Sequence, residues 1–318
     1  MKYRQITSGE RYAIAALHRR GLSARAIAAE LGRAHTTISR EIARNSCKDA
    51  AYRPSKADSR TRGRRSRSRR NARIGPETWE IVERYLRLDW SPEQVAGFLR
   101  VEGILKISHE SIYVHVWHDK TCDGELWCHL RQRTKKRRKR YGAYDSRGKV
   151  AGKRHISERP PEVEDRCEVG HWEIDTVMGT EHGRNSVLTL VERATGFTVM
   201  GKLSRHCAAD AVTRCVELIE RQAGRVATIT SDNGSEFHGY KHIEAATGVE
   251  FYFATPHHSW ERGTNENTNG LIRQYLPKKT SQAHVTQADC DRIAAKLNSR
   301  PRKRLGYKTP EECYAAAG

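Results

Sequence analysis

The 318-residue chain carries 58 Lys and Arg against 38 Asp and Glu, a formal net charge of +20. The length suits two or three domains. No run of about 18 apolar residues occurs, which excludes a transmembrane helix, and the N-terminus leads into a polar segment rather than an apolar signal core, so the expected location is intracellular. The excess charge is concentrated in two runs, residues 60–70 and 131–140. That clustering selects a polyanionic partner, nucleic acid first, over a merely soluble basic protein. The eight cysteines (Cys47, Cys122, Cys128, Cys167, Cys207, Cys215, Cys290 and Cys313) are scattered without a Cys-x-x-Cys pair, as expected of free thiols in a reducing compartment.

Residues 1–46 read as three helices. Thr7-Ser8-Gly9-Glu10 predicts a capping box and opens a helix with Ile14 and Leu17 on one side. Ser23 caps a second helix with Ile27 and Leu31 four apart, and Gly32 sits past its end. After the short link Arg33-Ala34-His35, a third helix turns Ile38 and Ile42 inward, and the other face shows His35, Thr36, Thr37, Ser39, Arg40 and Arg44. Small polar and basic residues on the last helix suit a helix-turn-helix entering a major groove. Arg33 and those six residues are the candidate DNA contacts; a three-helix bundle with a charged outer face is the alternative.

Residues 47–75 form a basic linker. The stretch Arg60–Arg70 contains no apolar residue, so it is expected to be disordered in solution. On DNA, Arg62, Arg64, Arg65 and Arg67 would lie along phosphates or enter a minor groove. Residues 76–119 repeat the helical logic. Trp79, Val82 and Leu86 share one face, Ser91-Pro92-Glu93-Gln94 starts a second helix, and Ser108 caps a third with Ile112 and Val116. This unit reads equally as a second helix-turn-helix or as a spacer against a partner subunit. Residues 120–165 are a second basic linker. His115, His118, Cys122, Cys128 and His129 lie close in sequence, but their spacing fails the zinc template, and no zinc is expected.

From about residue 166 to 318 the texture changes. Strands are expected at His171–Met178, Ser186–Val191 and Gly196–Leu203, a helix at Ala208–Gln222, strands at Val226–Thr230 and Phe251–Ala254, and helices around Glu266 and over Gln287–Asn298. Three strands in sequence followed by helix-strand-helix-strand-helix is the order of an RNase H-like fold. Asp175 falls in the first strand and Asp232 just past the fourth. Close carboxylates repel one another, and divalent cations with oxygen ligands relieve that repulsion. Two ions about 4 Å apart activate an attacking oxygen and stabilise a leaving oxygen in phosphodiester displacement. Glu236, Glu261 and Glu266 are candidates for a third acid. Thirty-three residues separate Asp232 from Glu266, and Arg273 lies seven positions beyond Glu266, on the same helix face. Glu173 shares the strand face of Asp175 and is a candidate assistant.

The stretches Asp232-Asn233-Gly234-Ser235-Glu236-Phe237, Trp260-Glu261-Arg262-Gly263-Thr264-Asn265-Glu266-Asn267 and Asn298–Glu312, together with Trp172-Glu173-Ile174-Asp175, Trp90–Gln94 and Ile38–Asn45, resemble the DDE transposases of the insertion-sequence-thirty family. The resemblance covers nearly the whole chain. It implies a multidomain protein, all-α helix-turn-helix units followed by an α/β RNase H-like (retroviral integrase-like) catalytic domain with a mixed five-stranded sheet. It also implies a catalytic and metal-binding triad of Asp175, Asp232 and Glu266, and Arg273, on the same helix stripe as Glu266, is the expected DNA contact of this domain. Two Mg2+ ions are expected, Mn2+ being able to substitute. Expected partners are double-stranded DNA, as terminal inverted repeats and as target, and a second copy of the chain, since two ends are cut. The expected setting is the prokaryotic cytoplasm at the nucleoid, with no membrane. Expected chemistry is strand cleavage and strand transfer; the rival readings are a DNA-binding regulator and a nuclease without strand transfer. Asp175 and Asp232 are expected to be held rigidly by adjacent strands, and Glu266 to move into place when DNA binds.

Overall fold

The computed structural model describes residues 5–47, 49, 51–66, 74–131, 152–180, 184–256 and 258–317; the expected DNA contact Arg67 and the basic run 132–140 lie outside them. The chain divides into two compact units, Met1–Trp79 and Glu80–Gly318. Among the described residues no helix is long and apolar enough to cross a membrane.

In the first unit, α1 (Ser8–Arg19) opens with the expected capping box of Thr7 and Glu10, α2 (Ala24–Glu30) is capped by Ser23, and α3 (His35–Asn45) follows. Ile14, Ile27 and Ile38 are fully buried at the centre, with Leu17, Leu31 and Ile42 partly buried around them. Of the segment expected to be disordered, residues 60–66 instead belong to a helix, α4 (Pro54–Ser66). Its few apolar neighbours explain why: Tyr52 and Ala57 insert into the same core. Its arginines have local work as well. Arg60 donates to the carbonyls of Asn45 (2.7 Å) and Ser46 (2.9 Å), and Arg64 donates to Asn45 Oδ1 (2.8 Å), satisfying the end of α3 where carbonyls lack helical partners. Buried Arg11 of α1 joins the layers, pairing with Glu41 of α3 (2.7 Å) and Asp58 of α4 (2.8 Å).

The second unit opens within α5 (Pro76–Arg87) and continues with α6 (Pro92–Val101) and α7 (His109–Thr121). Val82, Leu86, Val95, Leu99, Ile112 and Val116 form their interior. Of the histidine–cysteine cluster, His115 hydrogen-bonds Glu83 (2.9 Å) and His129 hydrogen-bonds Asp89 (2.9 Å). Gln94 Nε2 donates to the Pro301 carbonyl (2.8 Å), and the Tyr307 ring covers Gly97, where a Cβ would lie 1.8 Å from the ring. The Asn298–Glu312 motif thus clasps α6. Residues 152–165, expected as linker, also have fixed partners. The amide of Phe253 donates to the Arg154 carbonyl (3.0 Å) and Tyr240 Oη to the Gly152 carbonyl (2.7 Å), and the short α8 (Glu162–Asp165) buries Val163.

The sheet contains β1 (His171–Met178), β2 (Arg184–Glu192) and β3 (Thr198–Arg205), then α9 (Ala208–Glu220), β4 (Thr228–Ser231), α10 (Tyr240–Thr247) and β5 (Glu250–Phe253). Its order is β3-β2-β1-β4-β5; β1, β2 and β3 run antiparallel, while β1, β4 and β5 run parallel. The chain ends with α11 (Gly263–Ile272), α12 (Gln287–Asn298) and α13 (Pro310–Ala316). One sheet face packs Trp172, Ile174, Leu188 and Leu190 against α9, α10 and Tyr314 of α13. The other packs Val177, Val187 and Met200 against α11 and α12. The mixed five-stranded sheet between two helical layers is the RNase H-like architecture the element order predicts.

The outer edge of β3 is covered by side chains. Asn298 accepts from the Thr198 amide (2.8 Å) and donates to its carbonyl (2.9 Å); Gln287 accepts from the Lys202 amide (2.9 Å) and donates to the Met200 carbonyl (3.0 Å). Asn298→Ala would strand both backbone groups of the buried Thr198. The expected loss is on the order of 2–4 kcal/mol, read as a lower denaturant midpoint with an unchanged slope.

Candidate active site

Sheet pairing brings the first two acids together. Glu173 of β1 stands opposite Thr230 of β4 in parallel register, so two residues further on Asp175 comes level with Asp232, just past the end of β4. Alternation along β1 sends Trp172 and Ile174 into the α9 side of the sheet. Glu173 and Asp175 therefore face α11.

Glu173, the candidate assistant on the strand face of Asp175, has fixed partners of its own. It is fully buried. One carboxylate oxygen accepts from Arg193 (3.0 Å) and the other from the backbone amide of Asn265 (2.7 Å) in the first turn of α11. Arg193 in turn pairs with Glu164 (3.1 Å). A carboxylate at a helix N-terminus meets unsatisfied amides and the positive end of the helix dipole. Glu173 thereby pins the helix that carries Glu266 to the strand that carries Asp175.

Asp175 accepts hydrogen bonds from the Thr176 amide (2.8 Å) and from Asn269 Nδ2 on α11 (2.9 Å). Arg262, the residue capping α11, lies 3.4 Å from Asp175 Oδ2 and 3.4 Å from Asp232 Oδ2. One guanidinium therefore bridges both acids. Asp232 also accepts from the Gly234 amide (2.9 Å). A Cβ on Gly234 would fall 2.5 Å from Glu236 Oε2 and 2.9 Å from Asp232 Oδ1, so this turn accepts only glycine without rearrangement. Glu236 is buried and accepts from Thr176 Oγ1 (2.9 Å), with His206 at 3.2 Å. Glu261 accepts from the Thr255 amide (2.7 Å) and serves the local turn.

Glu266 is exposed, and among the described residues it makes no hydrogen bond or ion pair. It is nevertheless on the right stripe. Arg262, Glu266, Asn269 and Arg273 are spaced four, three and four apart, which places them along one helix face. Arg262 and Asn269 on either side of Glu266 both reach Asp175. Arg273, expected on DNA, donates to the Met178 carbonyl at the end of β1 (2.9 Å). Neither Arg262 nor Asn269 was singled out from sequence, although counting one helical turn either way from Glu266 reaches both.

Burial pushes the Asp175 carboxyl up to about 6, partly offset by Arg262 and reinforced by the charge of Asp232. Among the described residues no three Asp, Glu, His or Cys side chains converge as a metal cage. The donor set still fits a divalent cation. Asp175 and Asp232 offer hard oxygens and already share one positive group, and Glu266 is the nearest unengaged carboxylate on the helix above them.

In the first unit, His35, Thr36, Ser39, Arg40 and Arg44 are exposed on α3, and Thr37 is half-buried. Arg62, Arg64 and Arg65 are exposed on α4, and Arg40, Arg44, Arg64 and Arg65 line one groove. Arg33 departs from expectation: it is drawn to Glu10 (2.8 Å) and to the Gln5 carbonyl (3.0 Å), so it braces the fold.

Two outcomes follow from this geometry. Glu173→Gln removes the charge facing buried Arg193 and should cost on the order of 3–5 kcal/mol, measured by chemical denaturation. Asp175 has an ordinary value of 3.8 and a folded value of about 6. Between those values the folded protein holds a proton the unfolded chain has lost, so stability falls as pH rises through that window. In EDTA, Asp175→Asn should melt above wild type at pH 7.5, by up to about 3 kcal/mol, and lose that advantage below pH 4. A parallel pH dependence of the two proteins would contradict the assignment.

Residues 2–45 match a family model described as a helix-turn-helix domain, and residues 165–259 match one described as an integrase core domain. The chain is 39% identical over 312 residues to the transposase for insertion sequence element IS4351 of Bacteroides fragilis, covering 98% of this chain and 95% of that one. It is 36% identical over 323 residues to the transposase for insertion sequence element IS1086 of Cupriavidus metallidurans, covering 99% and 95%. To transposase InsI of insertion sequence element IS30A of Escherichia coli K12 it is 36% identical over 327 residues, covering 96% and 82%. Near-complete coverage by such relatives, with a helix-turn-helix domain ahead of an integrase core, shows that the chain belongs to the insertion-sequence-thirty family of DDE transposases.

Proposed function

We infer that this transposase recognises the terminal inverted repeats of its element through the exposed face of α3, and that Asp175, Asp232 and Glu266 carry strand cleavage and strand transfer. The observation behind the second part is the pair of acids on adjacent parallel strands sharing one guanidinium. Divalent cations, Mg2+ with Mn2+ able to substitute, would be held as two ions by the three carboxylates, supplying an activated attacking oxygen and a stabilised leaving oxygen. The chain's own contribution is position. β1 and β4 fix two carboxylates, Glu173 fixes the start of α11, and Asn269 orients Asp175. Arg40, Arg44 and the exposed arginines of α4 supply phosphate and base contacts in the first unit. Residues 1–46, 76–119 and 166–318 are the functional segments of this reading, with 47–75 and 120–165 joining them. Cutting two ends calls for at least a homodimer on DNA, in the prokaryotic cytoplasm.

The test is cleavage and joining of a duplex carrying a candidate element end, with Mg2+. Asp232→Asn should lower both steps on the order of 10³-fold or more while still binding the duplex. An Asp232→Asn protein that cuts as well as wild type removes the active-site assignment. Cutting by wild type with no joined product would instead indicate a nuclease.

A further inference from the structure

The Asn298–Glu312 motif lies outside the acids, yet it builds a second charged feature. Between α6 and residues 300–307 runs a cleft of about 200 Å3, whose lining includes Arg131, Arg300, Arg302, Lys303, Gln274 and Asn267. Two carboxylates, Asp89 and Glu93, line it as well. Both are already engaged: Asp89 with Lys296 (2.8 Å) and His129 (2.9 Å), Glu93 with Lys303 (2.7 Å). Among the described residues Arg302 makes no ion pair; its one side-chain hydrogen bond goes to the Leu297 carbonyl (3.0 Å). Arg300 is 2% exposed; its Nη atoms donate to Gln274 Oε1 (3.2 Å) and the Tyr275 hydroxyl and lie 4.0 Å from Asp89 Oδ2, while its buried Nε has no hydrogen-bond partner among the described residues.

Burial and the positive charge of Arg300, Arg304 and Arg131 push the Arg302 guanidinium down to about 10. Desolvated like charges held together are costly unless an anion joins them. Guanidinium groups present planar forks that match phosphate oxygens. The cleft also adjoins the helix of the third acid: Asn267 and Gln274 belong to α11 and its end, and a Cβ on Gly270 would lie 2.4 Å from Arg131 Nη2.

We propose that this cleft seats a phosphate of the DNA backbone, gripped by Arg302 with Arg300 held behind it, so that the strand passes along α11 beside Glu266. The inference rests on the DNA-processing reading above and adds a contact site to it. It gives the terminal motif two roles from one segment, clasping α6 and holding DNA.

The experiment measures equilibrium binding of the full-length protein to an end-containing duplex and to an unrelated duplex over a range of salt, without Mg2+. Each phosphate contact adds about 0.9 to the slope of log affinity against log salt. Arg302→Gln should lower that slope by about 1 and weaken binding about threefold to tenfold on both duplexes alike, while Arg302→Lys keeps the slope. Gln274→Glu, which lowers the positive charge of the cleft by one and leaves the arginines in place, should lower the slope similarly and covers the case in which Arg302→Gln does not fold. An unchanged slope in folded Arg302→Gln or Gln274→Glu overturns the proposal. So does an unchanged slope combined with thermal stabilisation of wild type, but not of the variants, by inorganic phosphate; the seat would then take a free anion. Wild type that fails to bind either duplex refutes the DNA reading itself rather than this site.

Discussion

One buried carboxylate organises the catalytic half of this protein. Glu173 sits in the middle strand of the sheet, away from water, where a charge is tolerated only with full compensation. The compensation comes from two directions, the Arg193 guanidinium and the amide of Asn265. Because the second partner is helix backbone, the start of α11 cannot slide along the sheet without stranding that charge. The contacts of Arg262 and Asn269 with Asp175 inherit this constraint. The candidate acids Asp175 and Asp232 thus depend on one that lies beneath them.

The same logic shows what the sequence could and could not reveal. The strand order, the placement of Asp175 and Asp232, and the stripe of Glu266 follow from local patterns: period-two alternation, a turn after a short apolar run, and a helical repeat. Arginine roles did not follow. Arg33 is expected on DNA, Arg60 in a disordered basic run, and Arg11, Arg193 and Arg300 carry no local signal, yet each is tied to a specific partner by contacts that span the fold. α4 was misread for that reason, since a segment without apolar residues was assumed to have nothing to hold it. α13 lies outside the expected elements although Thr309-Pro310-Glu311-Glu312 carries both a capping box and proline in the first turn.

Charge is therefore sorted into two kinds. Internal arginines such as Arg11 and Arg193 meet carboxylates one by one and fix the layers. Outer arginines on α3 and α4 face solvent together, where mutual repulsion is screened by salt until a polyanion replaces the counterions. Asp175 and Asp232 present the opposite problem, and Arg262 answers it from within the chain.

The borders of the sheet bear on assembly. On β3, side chains of α12 occupy the outward backbone groups of Thr198, Met200 and Lys202, and Arg214 of α9 takes the Lys202 carbonyl. On β5, Phe253 is taken up by Arg154 and His155. An edge with its amides and carbonyls already engaged offers no template for an incoming strand. Two copies of this chain cannot join by extending a common sheet through these positions, which also removes a route to strand-mediated aggregation.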